Sequence, residues 1–124
     1  MRLDEICSLK KADLDEDCFL VTNGKTGSSI RKIPIHKIPI PLVKDLYDSS
    51  SHDYLIDGLK TYHDDISHYV GKIMITRRKQ LGYEKRKYTF YSFRSNFMTE
   101  MDNLATKLSI TQTIVGHTQF HLSF

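Results

Sequence analysis

This sequence predicts a mostly helical α+β fold with a small antiparallel β-sheet, on three observations. Apolar residues recur at helical spacing over positions 66–77 and again over 93–108. Two β-rich runs, 18–22 and 30–36, flank a stretch dense in turn-forming residues. The chain is 124 residues long with 40% hydrophobic content, which gives room for one modest core, so a single domain over 1–124 is expected.

Composition narrows the function classes. Charged residues make up 27%, the formal net charge is +3, and no apolar run is long enough to span a bilayer, so disorder and a membrane location are both disfavoured. The N-terminus lacks a basic segment leading into an apolar core, so no secretory signal is expected. Cys7 and Cys18 have no CxxC spacing and read as buried free thiols of a cytoplasmic protein. The charge is uneven. Residues 1–17 hold six acids against three bases, whereas Arg77, Arg78, Lys79, Lys85, Arg86 and Lys87 crowd into eleven residues with Glu84 as the one acid. Such a run suits nucleic-acid contact, although a solvated face is the plainer reading.

In chain order, Leu3, Ile6, Cys7 and Leu9 share a helical face, and the acids of 12–17 break the pattern. The β-rich runs predict a hairpin with Lys25 at its tip. Its second strand alternates Arg31, Ile33 and Ile35 against Lys32, Pro34 and His36, and Pro34 makes it an edge or an interrupted strand. Pro39 and Pro41 open a helix over Leu42, Val43 and Leu46 that the serine-rich stretch 48–53 ends. Tyr54, Leu55, Leu59 and Tyr62 suggest another short helix. Ile66, Tyr69, Val70, Ile73, Met74 and Arg77 give the clearest helical period, in which Gly71 is tolerable. Phe93, Phe97, Met101, Leu104 and Leu108 form a continuous stripe that reads as core. Ser109 with Gln112 fits a capping box, and Gly116 supplies the stop of that last helix.

The chemistry gathers on the stretch 88–97 and on His117. Ser92 reads as the N-cap of the helix carrying Arg94, which sets Arg94 in the first turn, where a guanidinium adds a fork of donors to amides already biased toward an anion. His117 follows the glycine stop at the negative end of a helix, where its protonated form is favoured. Lys25 is a mobile cationic donor. Singly, each has a bland reading as a solvated cation or a helix cap. Together, Arg2, Lys25, Arg94 and His117 are more positive charge than one core tolerates unless an anion joins them. His63 and His68 are five apart, which sets them on different helix faces, so no metal site is expected.

The ordered set resembles the tyrosine recombinases of the phage-integrase family. Residues 2–13 are similar to that family's arginine-bearing helix. Gly24-Lys25-Thr26-Gly27 with the strand at 31–35 resembles its lysine hairpin, Tyr91-Ser92-Phe93-Arg94 its His-x-x-Arg box, and 108–117 its segment ending in Gly-His. The resemblance covers nearly the whole chain and implies a recombinase catalytic core truncated at both ends. It implies that Arg2 and Arg94 clamp the non-bridging oxygens of a scissile DNA phosphate, that Lys25 is the general acid toward the leaving 5′ hydroxyl, and that His117 hydrogen-bonds the phosphate. Glu5 is the implied supporting carboxylate.

Two departures from the family pattern stand out. Tyr91 occupies the usual histidine position; it can donate to a phosphate oxygen but is a poor base at neutral pH. No tyrosine follows Tyr91, so the nucleophile that the family carries beyond the Gly-His histidine is absent and the chain alone should not cleave DNA. The implied partner is double-stranded DNA, with no metal or nucleotide cofactor, no small-molecule substrate and no membrane. Two alternatives stand beside this: a non-catalytic DNA-binding or regulatory module, and self-association through the apolar tail of Phe120, Leu122 and Phe124.

Overall fold

The computed structural model describes residues 1–22, 30–59, 66–83 and 88–117. Among the described residues, five α-helices and a three-stranded sheet follow in the order α1 (Leu3–Cys7), β1 (Leu14–Asp15), β2 (Cys18–Val21), β3 (Arg31–Pro34), α2 (Ile40–Ser49), α3 (Ile66–Gln80), α4 (Phe90–Asn103) and α5 (Leu108–Val115), with a short 3-10 turn at Lys11–Asp13. The mostly helical α+β expectation holds. Lys25, the turn of the hairpin, His63, Lys85, Arg86, Lys87 and the tail after His117 lie outside the described residues.

The sheet is antiparallel in the order β1-β2-β3, with Phe19 opposite Ile33 and Cys18 opposite Pro34. Pro34 thus lies at the end of an edge strand, where its missing N–H costs no ladder bond. The acidic stretch supplies β1, which the clustered charge concealed: Leu14 pairs with Phe19 while Asp15 reaches the exposed Lys32 ammonium at 2.9 Å.

The main apolar cluster is Leu9, Val43 and Leu55, with Met1, Leu14, Phe19 and Leu46 packed against it. α2 starts behind Pro39 as its prolines predict and contributes Val43. Tyr54 and Leu55 do not begin a helix. Lys10 pairs with Tyr54 in an isolated antiparallel bridge, and the Leu55 amide donates to Leu9 at 2.9 Å, so the segment is held extended to bring Leu55 into the core. Cys7 is buried and Cys18 only half-buried; both are free thiols.

The apolar stripe of α4 is not core among the described residues. Phe93 is 65% exposed, Leu104 73% and Leu108 68%, and the one buried residue of α4 is Arg94. Phe93, Phe97 and Met101 instead line an open apolar groove of about 840 Å³ with Leu3, Ile6 and Ile114. Periodicity shows which residues share a face, not whether another element lies against it. Among the described residues, no helix is long and apolar enough to cross a membrane.

Candidate functional site

The site is built around a strand residue. β3 turns Arg31 and Ile33 inward and leaves Lys32 and Pro34 outside. The buried Arg31 guanidinium donates to Glu5 from Nη1 to Oε1 at 3.1 Å and from Nη2 to Oε2 at 2.9 Å, while its Nε donates to the carbonyl of Ile114 at 2.8 Å. One side chain therefore ties β3 to α1 and to the last turn of α5.

Glu5 answers two demands at once. Burial on its own would raise its pKa, but the Arg31 hydrogen bonds, the Arg2 amide donating at 2.7 Å and the charge of Arg31 outweigh it and hold the carboxyl below its usual range. As the third residue of α1 it also satisfies the free amide at that helix's start.

Gly116 ends α5 directly over Arg31. Its φ is +71°, and a Cβ there would lie 2.7 Å from Arg31 Cζ, so glycine is required both by the backbone conformation and by the guanidinium beneath it. The His117 amide donates to Gln112 at 3.0 Å and the Gly116 amide to Thr113 at 3.3 Å, a Schellman turn that delivers His117 to the site. Ser109 does not cap α5. The helix opens two residues earlier than that cap would set it, after Lys107, whose carbonyl accepts from Ile110 at 2.9 Å.

Arg94 sits in the second turn of α4 rather than the first. The helix begins behind Thr89, and Ser92, expected as the cap, is its third residue and accepts the Thr89 amide at 3.0 Å. The anion-binding capacity here thus rests on the guanidinium and not on first-turn amides. Arg94 is 6% exposed, and its Nη1 and Nη2 are buried without a hydrogen-bond partner among the described residues. Burial first, then the charge of Arg2, pull its pKa below the ordinary arginine value, with Glu5 opposing and Arg31 adding to the effect.

His117 responds to the same charges. Its pKa is lowered by burial and then by Arg94 and Arg2, so the free protein favours the neutral ring. This corrects the expectation from the helix end: two guanidinium charges and desolvation outweigh the α5 dipole. Far apart in sequence, Arg2 and Arg94 are close enough in space for their charges to act on His117, and Arg2 for its charge to act on Arg94.

Arg2, Tyr91 and Arg94 also line a cavity of about 500 Å³ whose walls, among the described residues, include no Asp or Glu. Tyr91 is 64% exposed and Arg2 is exposed. The basic run divides: Arg77 is exposed and donates to Gln80 at 3.1 Å, Lys79 is exposed, but Arg78 turns inward, lines the cavity and donates from Nη1 to the Tyr88 carbonyl at 2.9 Å. Among the described residues, no group of three or more His, Cys, Asp or Glu side chains is placed to hold a metal ion.

The sequence profile of the phage integrase family matches residues 1–122. The chain belongs to the phage integrase family. No curated protein and no solved structure matches it. Membership of the phage integrases, which are site-specific recombinases, bears out the resemblance seen in the ordered Arg2, Lys25, Arg94 and His117 segments. The residue that sequence reasoning passed over is Arg31. Its signal was present, since it is the one charged residue on the strand face that carries Ile33 and Ile35.

Proposed function

We propose that this chain is the DNA-binding catalytic core of a site-specific tyrosine recombinase acting in DNA recombination and integration. Arg2 and Arg94 hold the non-bridging oxygens of the scissile phosphate in duplex DNA, His117 and Tyr91 donate hydrogen bonds to it, and Lys25 is the general acid toward the leaving 5′ hydroxyl. Glu5 supports the site through Arg31. The reading calls for no metal and no nucleotide.

One observation carries it: the Arg94 guanidinium is buried, without a partner among the described residues, beside a cavity whose described walls hold no acid. A buried charge without a counter-charge costs several kcal/mol. An entering phosphate offsets that cost with charge-assisted hydrogen bonds. Glu5 acts on Arg94 through its charge, but its carboxylate is hydrogen-bonded to Arg31 and leaves the Arg94 Nη1 and Nη2 unpartnered among the described residues. Phosphoryl transfer spreads charge over the equatorial oxygens, and donors already fixed around that position stabilise the transition state more than the ground state.

No tyrosine follows Tyr91 in these 124 residues, so the chain on its own binds duplex DNA without bonding to it covalently. Incubation with a nicked recombination substrate followed by a denaturing gel tests this; a covalent protein–DNA band contradicts it. In a chain extended by the family's nucleophile, Arg94→Ala should abolish strand cleavage. Unchanged cleavage rejects the catalytic role, and a loss confined to DNA affinity favours a non-catalytic DNA-binding module.

Self-association is the second reading, favoured by the exposed stripe of α4. Sedimentation equilibrium tests it: a concentration-dependent dimer that Phe93→Ser weakens supports association, and a monomer up to 100 μM or so contradicts it.

A further inference from the structure

The cavity extends well past the Arg2–Arg94 pair. α3 also lines it and contributes Gly71, Lys72 and Arg78. Arg78 is 9% exposed; one of its nitrogens is held by the Tyr88 carbonyl, but its Nε is buried with no partner among the described residues. Two nearly buried arginines, each with unsatisfied donors, thus face one hollow with no acid among its described lining residues, and Arg2 and Lys72 line it as well. A single phosphate takes up the donors of Arg94 and Arg2 and leaves those of Arg78 without an acceptor. Gly71 lines the same cavity, and a Cβ built there meets nothing within 4 Å, so the helix presents open space to the cavity at that position.

We propose that this cavity is a paired-phosphate site, in which Arg78 and Lys72 hold the phosphate next along the strand from the one held by Arg2 and Arg94. The inference rests on the phosphate-binding reading of Arg94 and goes beyond it by assigning a second anion to α3. The shared chemistry is two adjacent phosphates, from a nucleic-acid backbone or from a free polyphosphate. Arg78 also anchors Tyr88 at the start of the segment that leads into α4, so the second phosphate and the first are read by elements tied to each other.

The test compares binding of a labelled duplex, by fluorescence anisotropy across a salt series, with calorimetric binding of inorganic tripolyphosphate at constant ionic strength. Gly71→Glu puts a carboxylate into the open wall, Lys72→Gln removes an exposed cation with little risk to folding, and Lys44→Gln on α2 is the charge-matched control. Losing one phosphate contact lowers the salt slope by about 0.9 and weakens binding roughly tenfold near 0.1 M salt. The paired-phosphate site expects that loss in Gly71→Glu and Lys72→Gln and none in Lys44→Gln. A loss seen with the duplex assigns the site to a backbone phosphate, and a loss seen only with tripolyphosphate assigns it to a free polyphosphate. Wild-type affinity and slope for both ligands in both variants overturn the inference. If Arg94→Ala is still tenfold weaker on the duplex, the first-phosphate reading survives that result; if Arg94→Ala is also unchanged, both fall.

Discussion

Arg31 and Glu5 meet inside the protein through hydrogen bonds of 3.1 and 2.9 Å, and the same guanidinium reaches across to the Ile114 carbonyl at 2.8 Å. The helix that follows Arg2 and the turn that carries His117 are therefore held at a fixed separation by one side chain. Both partners are nearly inaccessible, with side-chain exposures of 3% and 5%. Removing one of them leaves the other as an uncompensated buried charge.

Arg31→Ala is accordingly expected to destabilise the fold by about 3–5 kcal/mol, measured by urea unfolding. Arg31→Lys should recover little, because a single ammonium cannot serve both Glu5 oxygens and the Ile114 carbonyl in that planar arrangement.

Acid sensitivity follows from Glu5. Its pKa is lower folded than unfolded, so its stabilisation is fully present above the ordinary carboxylate value of about 4.3 and is lost as pH falls through the lower folded value. Thermal midpoints should drop on acidification below about pH 5, and Glu5→Gln should be less stable at neutral pH with a flatter acid limb.

Gly116→Ala should destabilise by more than the roughly 1–2 kcal/mol of a left-handed alanine, because the added methyl also collides with Arg31. A thermal melt gives the magnitude. Weakened DNA binding at a temperature where the variant is still folded would show that displacing Arg31 disturbs the site.

His117 makes binding pH-dependent. Its pKa is lowered in the free protein, and an entering phosphate offsets the Arg94 and Arg2 charges that lower it, so binding takes up a proton. Duplex affinity should therefore rise as pH falls from about 7.5 to about 6, a window around the ordinary histidine value of about 6.5. His68 lines the cavity, so the deciding comparison is His117→Gln, which should flatten the profile if His117 is responsible.

The two strands β2 and β3, the edge position of Pro34, the proline-led α2 and the Gly116 stop were all legible in the sequence because each is marked by local backbone chemistry. The starts of α4 and α5 were not, since Thr89 and Ser92, or Lys107 and Ser109, compete within one turn and hydrogen bonding decides between them. The exposed α4 stripe was misread because an apolar face does not announce its partner. Arg31 was the most informative miss. A cation on the inward face of a strand needs a buried acid, and Glu5 lies 26 residues away where no periodicity points.

The most direct test of the central claim follows the Arg94 guanidinium and the His117 imidazole by NMR while sulfate is added at constant ionic strength. If Arg94 and His117 close around one anion, both sets of resonances shift with a common saturating midpoint. Shifts confined to exposed lysines, or different midpoints for Arg94 and His117, would contradict a shared site.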